Sequence, residues 1–323
     1  MKNLAFVERF HELVLERIVD KKHWVKELAG ILHLSEDAIY KKARFETSYS
    51  LTEFLILCEK YHISYNEINH STEHDFIKFT TPFINRKIKT PLDYLKTLEN
   101  NLLQLKTLNN PYILYTTREL PIFYYCLNHD FLAFKLYVFS KTVWGIPLFV
   151  ENPFSMDLFD PEIFVLADKI WTMYSELHTE EYWTSNILDS TLQQLQFFGN
   201  CGQINKSSSE QLISSIVKVM DHCNKMAGVG SKCLKTENTN FQLYENKILH
   251  TSNQIMVNTK EKDFMFITFD NPNYIYTEDI ELMQYSKQWY EKIKQHSYSL
   301  GVGTGHQRFQ YFDAINNKIK ELS

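Results

Sequence analysis

Apolar residues recur at three- and four-residue intervals from the start of the chain. Leu4, Phe6, Val7, Phe10, Leu13, Val14, Leu15 and Ile18 predict an amphipathic helix over 1–19, ended by Asp20-Lys21-Lys22. Residues 23–70 predict several short helices. Residues 71–90 are polar and carry Pro82 and the basic run Arg86-Lys87-Ile88-Lys89, the pattern of a domain junction. Phe76, Ile77, Phe79, Phe83 and Ile84 predict that this junction is partly packed.

From Pro91 to about 230 the spacing stays mainly helical, with Leu92, Leu95, Leu98, Leu102, Leu103 and Leu105 marking one helix. Tyr112–Tyr115 predicts a short strand before a helix near Glu119. Residues 131–144, Phe131 to Trp144, are apolar and aromatic enough to be buried. Residues 161–198 predict two helices, with Glu180-Glu181 as solvated helix surface, and 207–226 a third that opens on a capping serine run. The period then changes. Phe241–Leu249, Gln254–Asn258 and Phe264–Phe269 alternate or run apolar, which predicts an antiparallel meander. Helices at about 278–296 and 306–322 close the chain.

Residues 28–68 carry the most specific pattern. Leu28 and Ala29 begin the buried face of a short helix, with Ala29 small where two helices cross. His33 stands at a turn, Leu34 is an apolar plug and Ser35 an N-cap. Ala38 and Ile39 face inward on the next helix. Ser50 caps a further helix packed through Leu51, Phe54, Leu55, Leu57 and Cys58, and His62-Ile63-Ser64 lead into a last turn ending at Ile68. This register, over about residues 5–70, resembles the Cro/repressor-like, Xre-type helix-turn-helix family. The turn departs from the family's usual Gly at His33. Lys42, followed by Ala43, replaces a bulky aromatic.

The resemblance implies an all-α helix-turn-helix bundle over 1–75 that binds double-stranded DNA, with residues 35–44 in the major groove. Its base-reading positions would be Glu36, Asp37, Tyr40 and Lys41. Lys41 can donate to guanine, a carboxylate can accept from cytosine, and Tyr40 can meet a thymine methyl or a phosphate. Lys42, Arg44, Lys22, Trp24 and Lys26 would contact the backbone. After a junction at 76–90, residues 91–323 would form a mainly helical α+β domain with a small antiparallel sheet. That domain is expected to sense a small-molecule or protein effector, or to hold a homodimer.

Composition narrows this picture. The chain has 323 residues and a net charge of −5, which argues against a coat on nucleic acid but not against a local reading surface. Residues 1–70 hold 10 Lys and Arg against 11 Asp and Glu, a balance that keeps a protein-binding bundle in play as the alternative. Five cysteines without a CxxC pair, no leader at the first residues and no long apolar run fit a cytoplasmic protein that does not enter a membrane. The 23 Phe and 19 Tyr suit a dense core, an apolar ligand pocket or a dimer interface.

Other constellations favour their plain reading. Gly301, Gly303 and Gly305 lack the GK[ST] ending of a phosphate loop and read as an interhelix loop. His70 and His74, four apart, lack the zincin Glu and read as solvated junction, so no metal or other cofactor is expected. Ala227-Gly228 resembles the cleavage site of self-cleaving repressors, but no β-rich peptidase domain follows. No nucleophile–base arrangement stands out, and the chain is not read as an enzyme.

Overall fold

Helical spacing of apolar side chains builds the first of two units. The computed structural model describes residues 2–18, 20–68, 77–83, 87–234, 240–248 and 253–321, and the chain divides into units spanning 1–77 and 78–323. His70 and His74 lie outside the described residues. The first unit comprises α1 (Lys2–Arg17), α2 (Trp24–Leu32), α3 (Glu36–Ala43), α4 (Leu51–Tyr61) and α5 (Tyr65–Ile68). Phe10, Val14, Leu28, Ile39 and Leu57 form its buried centre. Each such side chain contributes about 1.5–3 kcal/mol by leaving water.

Helix ends in this unit are set by named side chains. Ser50 accepts from the Glu53 amide, and the Glu53 carboxylate returns to the Ser50 amide, a reciprocal cap that starts α4. His62 ends α4 in the left-handed region at φ 52°. Arg17 Nη1 donates to the carbonyls of Tyr61 and His62, both at 2.7 Å, and its guanidinium pairs with Glu67. One side chain thus joins α1 to the end of α4 and to α5. The expected packing face of α4 needs correction: Leu57 and Tyr61 are buried, but Leu51 is 73% exposed and Leu55 56% exposed.

The second unit comprises α6 (Pro91–Thr107), β1 (Tyr112–Thr117), α7 (Ile122–Tyr125), α8 (His129–Thr142), α9 (Pro147–Glu151), α10 (Glu162–Ser175), β2 (His178–Trp183), α11 (Asp189–Asn200) and α12 (Lys206–Val229). There follow β3 (Phe241–Glu245), β4 (Gln254–Asn258), β5 (Phe264–Asp270), β6 (Asn273–Thr277), α13 (Ile280–Gln295), β7 (Tyr298–Ser299) and α14 (Gly305–Lys320). Asn205, not the serine run, caps α12 by accepting from the Ser208 amide.

The sheet is neither small nor antiparallel throughout. It has seven strands in the order β6-β5-β4-β1-β2-β3-β7. β1, β2 and β3 are parallel, with Tyr112 opposite His178 and Thr179 opposite Phe241, whereas β4, β5 and β6 form the antiparallel meander. Helical crossovers join β1 to β2 and β2 to β3, as parallel neighbours require. One sheet face, with Ile113, Tyr115, Trp183 and Leu243, packs on the helical core. The other, with Tyr182, Met256 and Met265, is covered by Met283, Tyr290 and Ile293 of α13.

β2 corrects the expectation of solvated helix surface at Glu180-Glu181. Glu181 is fully buried. Its carboxylate accepts from the hydroxyls of Tyr124 at 2.8 Å, Tyr174 at 2.6 Å and Thr179 at 3.2 Å, and from Trp183 Nε1 at 2.9 Å. Four donors satisfy the lone pairs of one carboxylate. Burial and the neighbouring Glu181 charge hold both phenols well above their ordinary range, so they remain donors. On the same face Lys232 Nζ donates to the Leu177 carbonyl at 2.8 Å and to Thr179 Oγ1 at 2.9 Å, and lies 4.4 Å from the centre of the Tyr174 ring. Glu180 faces the other way, accepting from Tyr112 at 2.9 Å, from Lys294 at 2.6 Å and from the Tyr182 hydroxyl.

Candidate nucleic-acid interface

The candidate surface is built by α2, a three-residue turn and α3. Val25, Leu28 and Leu32 bury one stripe of α2. Its end is closed by His33 at φ 53°, ψ 42°, with the Leu34 amide donating to the Ala29 carbonyl at 3.0 Å. A residue with a Cβ costs about 1–2 kcal/mol in this region, so the turn is held by the packing on either side. Leu34 is the partly buried plug, and Ser35 caps α3 by accepting from the Ala38 amide at 3.3 Å. Glu36 and Asp37 in the first turn complement the positive end of the helix dipole.

With Ile39 fully buried, α3 turns Glu36, Asp37, Tyr40, Lys41 and Arg44 to solvent. Asp37 and Lys41 pair across one turn at 3.4 Å, which holds the ammonium along the helix. Tyr40 is 46% exposed and meets the edge of Trp24, ring centres 6.1 Å apart. Trp24 is half-buried and also packs on His11, so it braces α3 against α1 and α2. Lys22 and Lys26 are exposed, whereas Lys21 donates to the carbonyls of Leu15 and Glu16 in the last turn of α1. Arg44 is exposed and stands 3.8 Å from Glu46.

Lys42 does not belong to this surface. It is 8% exposed, and its Nζ donates to Glu53 at 2.9 Å and to the Ser48 carbonyl at 2.8 Å, above the Tyr49 ring. Lys42 therefore ties the end of α3 to the cap of α4. Burial pushes the Glu53 carboxyl up, but the Lys42 ammonium and the Ser50 amide outweigh it and hold it below the usual range.

Beside this tie lies an aromatic nest that sequence spacing did not reveal. His11 is buried among Trp24, Phe45 and Tyr49, with Nδ1 2.9 Å from the Tyr49 hydroxyl. Burial lowers the imidazole below its ordinary 6.5, against a smaller opposing pull from Glu12. Burial, with the Glu53 charge, pushes the Tyr49 phenol up to about 12. Its partners come from α1, α2 and the α3–α4 loop, and only their approach in space defines it.

In the second unit the aromatic run of α8 packs on its own neighbours. Tyr137 has Phe149, Phe154 and Phe198 at ring distances of 6.3, 5.5 and 5.5 Å. A cleft of about 280 Å³ lies nearby, lined by polar Asp130, Ser155, Asn205, Ser208 and Gln211 and by apolar Phe154, Met156 and Leu212. Its carboxylate is already bound by Gln211 at 2.9 Å. Among the described residues no group of three metal-ligating side chains forms, and no helix is long and apolar enough to cross a membrane. The Gly301–Gly305 loop is held by Arg308, which donates to the Leu300 and Gly301 carbonyls at 3.3 and 2.7 Å.

Compared with models of protein families, with characterised proteins and with solved structures, the chain finds no match.

Proposed function

We propose that the chain is a sequence-specific DNA-binding transcription regulator of the Xre-type helix-turn-helix kind. The observation that carries this reading is the α2–turn–α3 geometry. A left-handed His33 and a Ser35 cap set α3 so that Ile39 is buried while Glu36, Asp37, Tyr40 and Lys41 share the solvent face. In this reading those four side chains meet base edges, and Lys22, Lys26 and Arg44 meet phosphates. Trp24 orients Tyr40, and Lys42 fixes the helix from behind. A short recognition helix reads few base pairs, so a homodimer formed through residues 78–323 would read two half-sites about 34–36 Å apart. The same unit would take the effector or partner that regulates binding.

A second reading, a protein-binding bundle that does not touch DNA, draws on two observations. Asp37 pairs with Lys41, and acids outnumber bases by one in residues 1–70. Titrating the full chain with a random duplex library over a salt series separates the two. The DNA reading predicts binding that weakens steeply with salt and enriches related sequences. No salt-dependent binding at any concentration tested would leave the second reading.

A further inference from the structure

We propose that the cleft between the starts of α8 and α12 binds a neutral polyhydroxy compound of monosaccharide size. Its walls are the first turns of those two helices and the segment that follows α9. Asn128 caps α8 by accepting from the Phe131 amide at 3.0 Å, and Asn205 caps α12 by accepting from the Ser208 amide at 2.8 Å. Those caps fix Asp130 and Ser208 at the cleft, one on each helix. Phe154 and Leu212 close its apolar side, and both are buried. The Phe154 ring is held by those of Tyr137 and Phe134, at 5.5 and 6.3 Å. One wall of the cleft is thus anchored in the core.

The hydrogen-bonding groups left over at the cleft select the ligand. Asp130 Oδ2 accepts from Gln211 Nε2 at 2.9 Å and from the Ser215 hydroxyl at 3.4 Å. Asp130 Oδ1, Gln211 Oε1, Asn205 Nδ2 and the Ser208 hydroxyl have no hydrogen-bond partner among the described residues. They offer two acceptors, one donor and one group that is both. Ser155 adds little, because its hydroxyl is engaged by Asp157. A ligand hydroxyl both donates and accepts, so neighbouring hydroxyls on one small molecule answer this mixed set.

Charge and size narrow the class further. An anion would meet the Asp130 carboxylate. A cation would meet the positive ends of α8 and α12, each equivalent to about half a charge, which together offset that one carboxylate. A neutral ligand meets neither cost. At about 280 Å³ the cleft lies just below the roughly 300–1,000 Å³ of drug-sized ligands, so a single sugar ring is the largest occupant that suits it. The site lies wholly in the second unit and does not depend on DNA recognition. Only the ligand's role as the effector that regulates DNA binding rests on the DNA-binding reading.

The test is a ligand-observed NMR titration of the full-length chain, without DNA. The probes are D-glucose, D-ribose and myo-inositol, with D-gluconate as the anionic and D-glucosamine as the cationic control. At least one neutral probe is expected to bind with a dissociation constant of about 1 mM, about tenfold tighter than either charged control. Ser208→Phe fills the cleft but keeps the capped amide, and is expected to abolish binding with the melting temperature unchanged. Asp130→Asn keeps the shape and removes the charge, and is expected to weaken binding about tenfold. Should either variant fail to melt as the parent does, the other carries the comparison. No binding of any neutral probe, tighter binding of a charged control, or parent affinity in the folded variants would overturn the site. A DNA affinity unchanged by a probe that binds would overturn the effector role. Absence of DNA binding by the chain itself would refute the DNA reading and leave the site standing.

Discussion

Two acidic pairs, Glu36-Asp37 in α3 and Glu180-Glu181 in β2, look alike along the chain and end in opposite surroundings. The first lies in solvent at the start of a helix, where the helix dipole and Lys41 stabilise it. The second is buried, one carboxylate on each face of a sheet, and is matched by phenols, an indole and lysines from distant elements. A charge run reports its own hydration only when nothing elsewhere in the chain supplies donors. Here Tyr124, Tyr174 and Lys294 supply them from 57, 7 and 114 positions away.

The sharpest way to break this contrast is to remove a carboxylate from each pair. Glu181→Ala leaves the Tyr124, Tyr174 and Trp183 donors without an acceptor beside buried Lys232. Its expected cost is about 3–5 kcal/mol, read as a lower denaturant midpoint for the second unit. Glu36→Ala is expected to stay within about 0.5 kcal/mol in the same titration. Equal effects would mean that the buried network is not what holds β2.

Core packing in the first unit gives the next effect. Ile39→Ala empties a fully buried site behind α3, at an expected cost of about 2–5 kcal/mol confined to the melting of that unit. A shift of the second unit's transition instead would show that the two units do not fold separately.

Acid should also separate the regions. His11 titrates below its unfolded value of 6.5, so the unfolded chain takes the proton first. The stability of the first unit is then full above about 6.5 and falls as the pH drops through that value toward the lowered one. Glu53, also lowered, adds a second loss as the pH falls below the usual carboxylate range. Melting of the full chain from pH 7.5 downward should show the first step, and His11→Gln should abolish it. An unchanged first step in that variant would exonerate His11.

The helices were legible because each is written locally. The stripe of α1, the Ser35 and Ser50 caps, the strand at Tyr112 and the closing helices follow from spacing and end chemistry within a few residues. The turn at His33 was legible too, despite a residue other than Gly. What escaped was set by distant partners: β2 with its masked charges, the parallel alignment of β3 and the exposure of Leu51 and Leu55. At the candidate surface, the outward positions of Glu36, Asp37, Tyr40, Lys41 and Arg44 were implied by the helix-turn-helix resemblance, and each is exposed. Lys42 is not, because its burial depends on Ser48 and Glu53 closing over it from the next loop and helix.

In the proposed reading the outer face of α3 meets base pairs while its inner face only holds the fold. The decisive comparison is Lys41→Ala against Lys42→Ala on duplexes selected by the parent chain. Lys41→Ala is expected to weaken binding by about 1–3 kcal/mol and to lose preference at one position of each half-site. Lys42→Ala, at a temperature where it remains folded, should keep the parent's base preference. Parent affinity and parent preference in Lys41→Ala would show that this face does not read DNA.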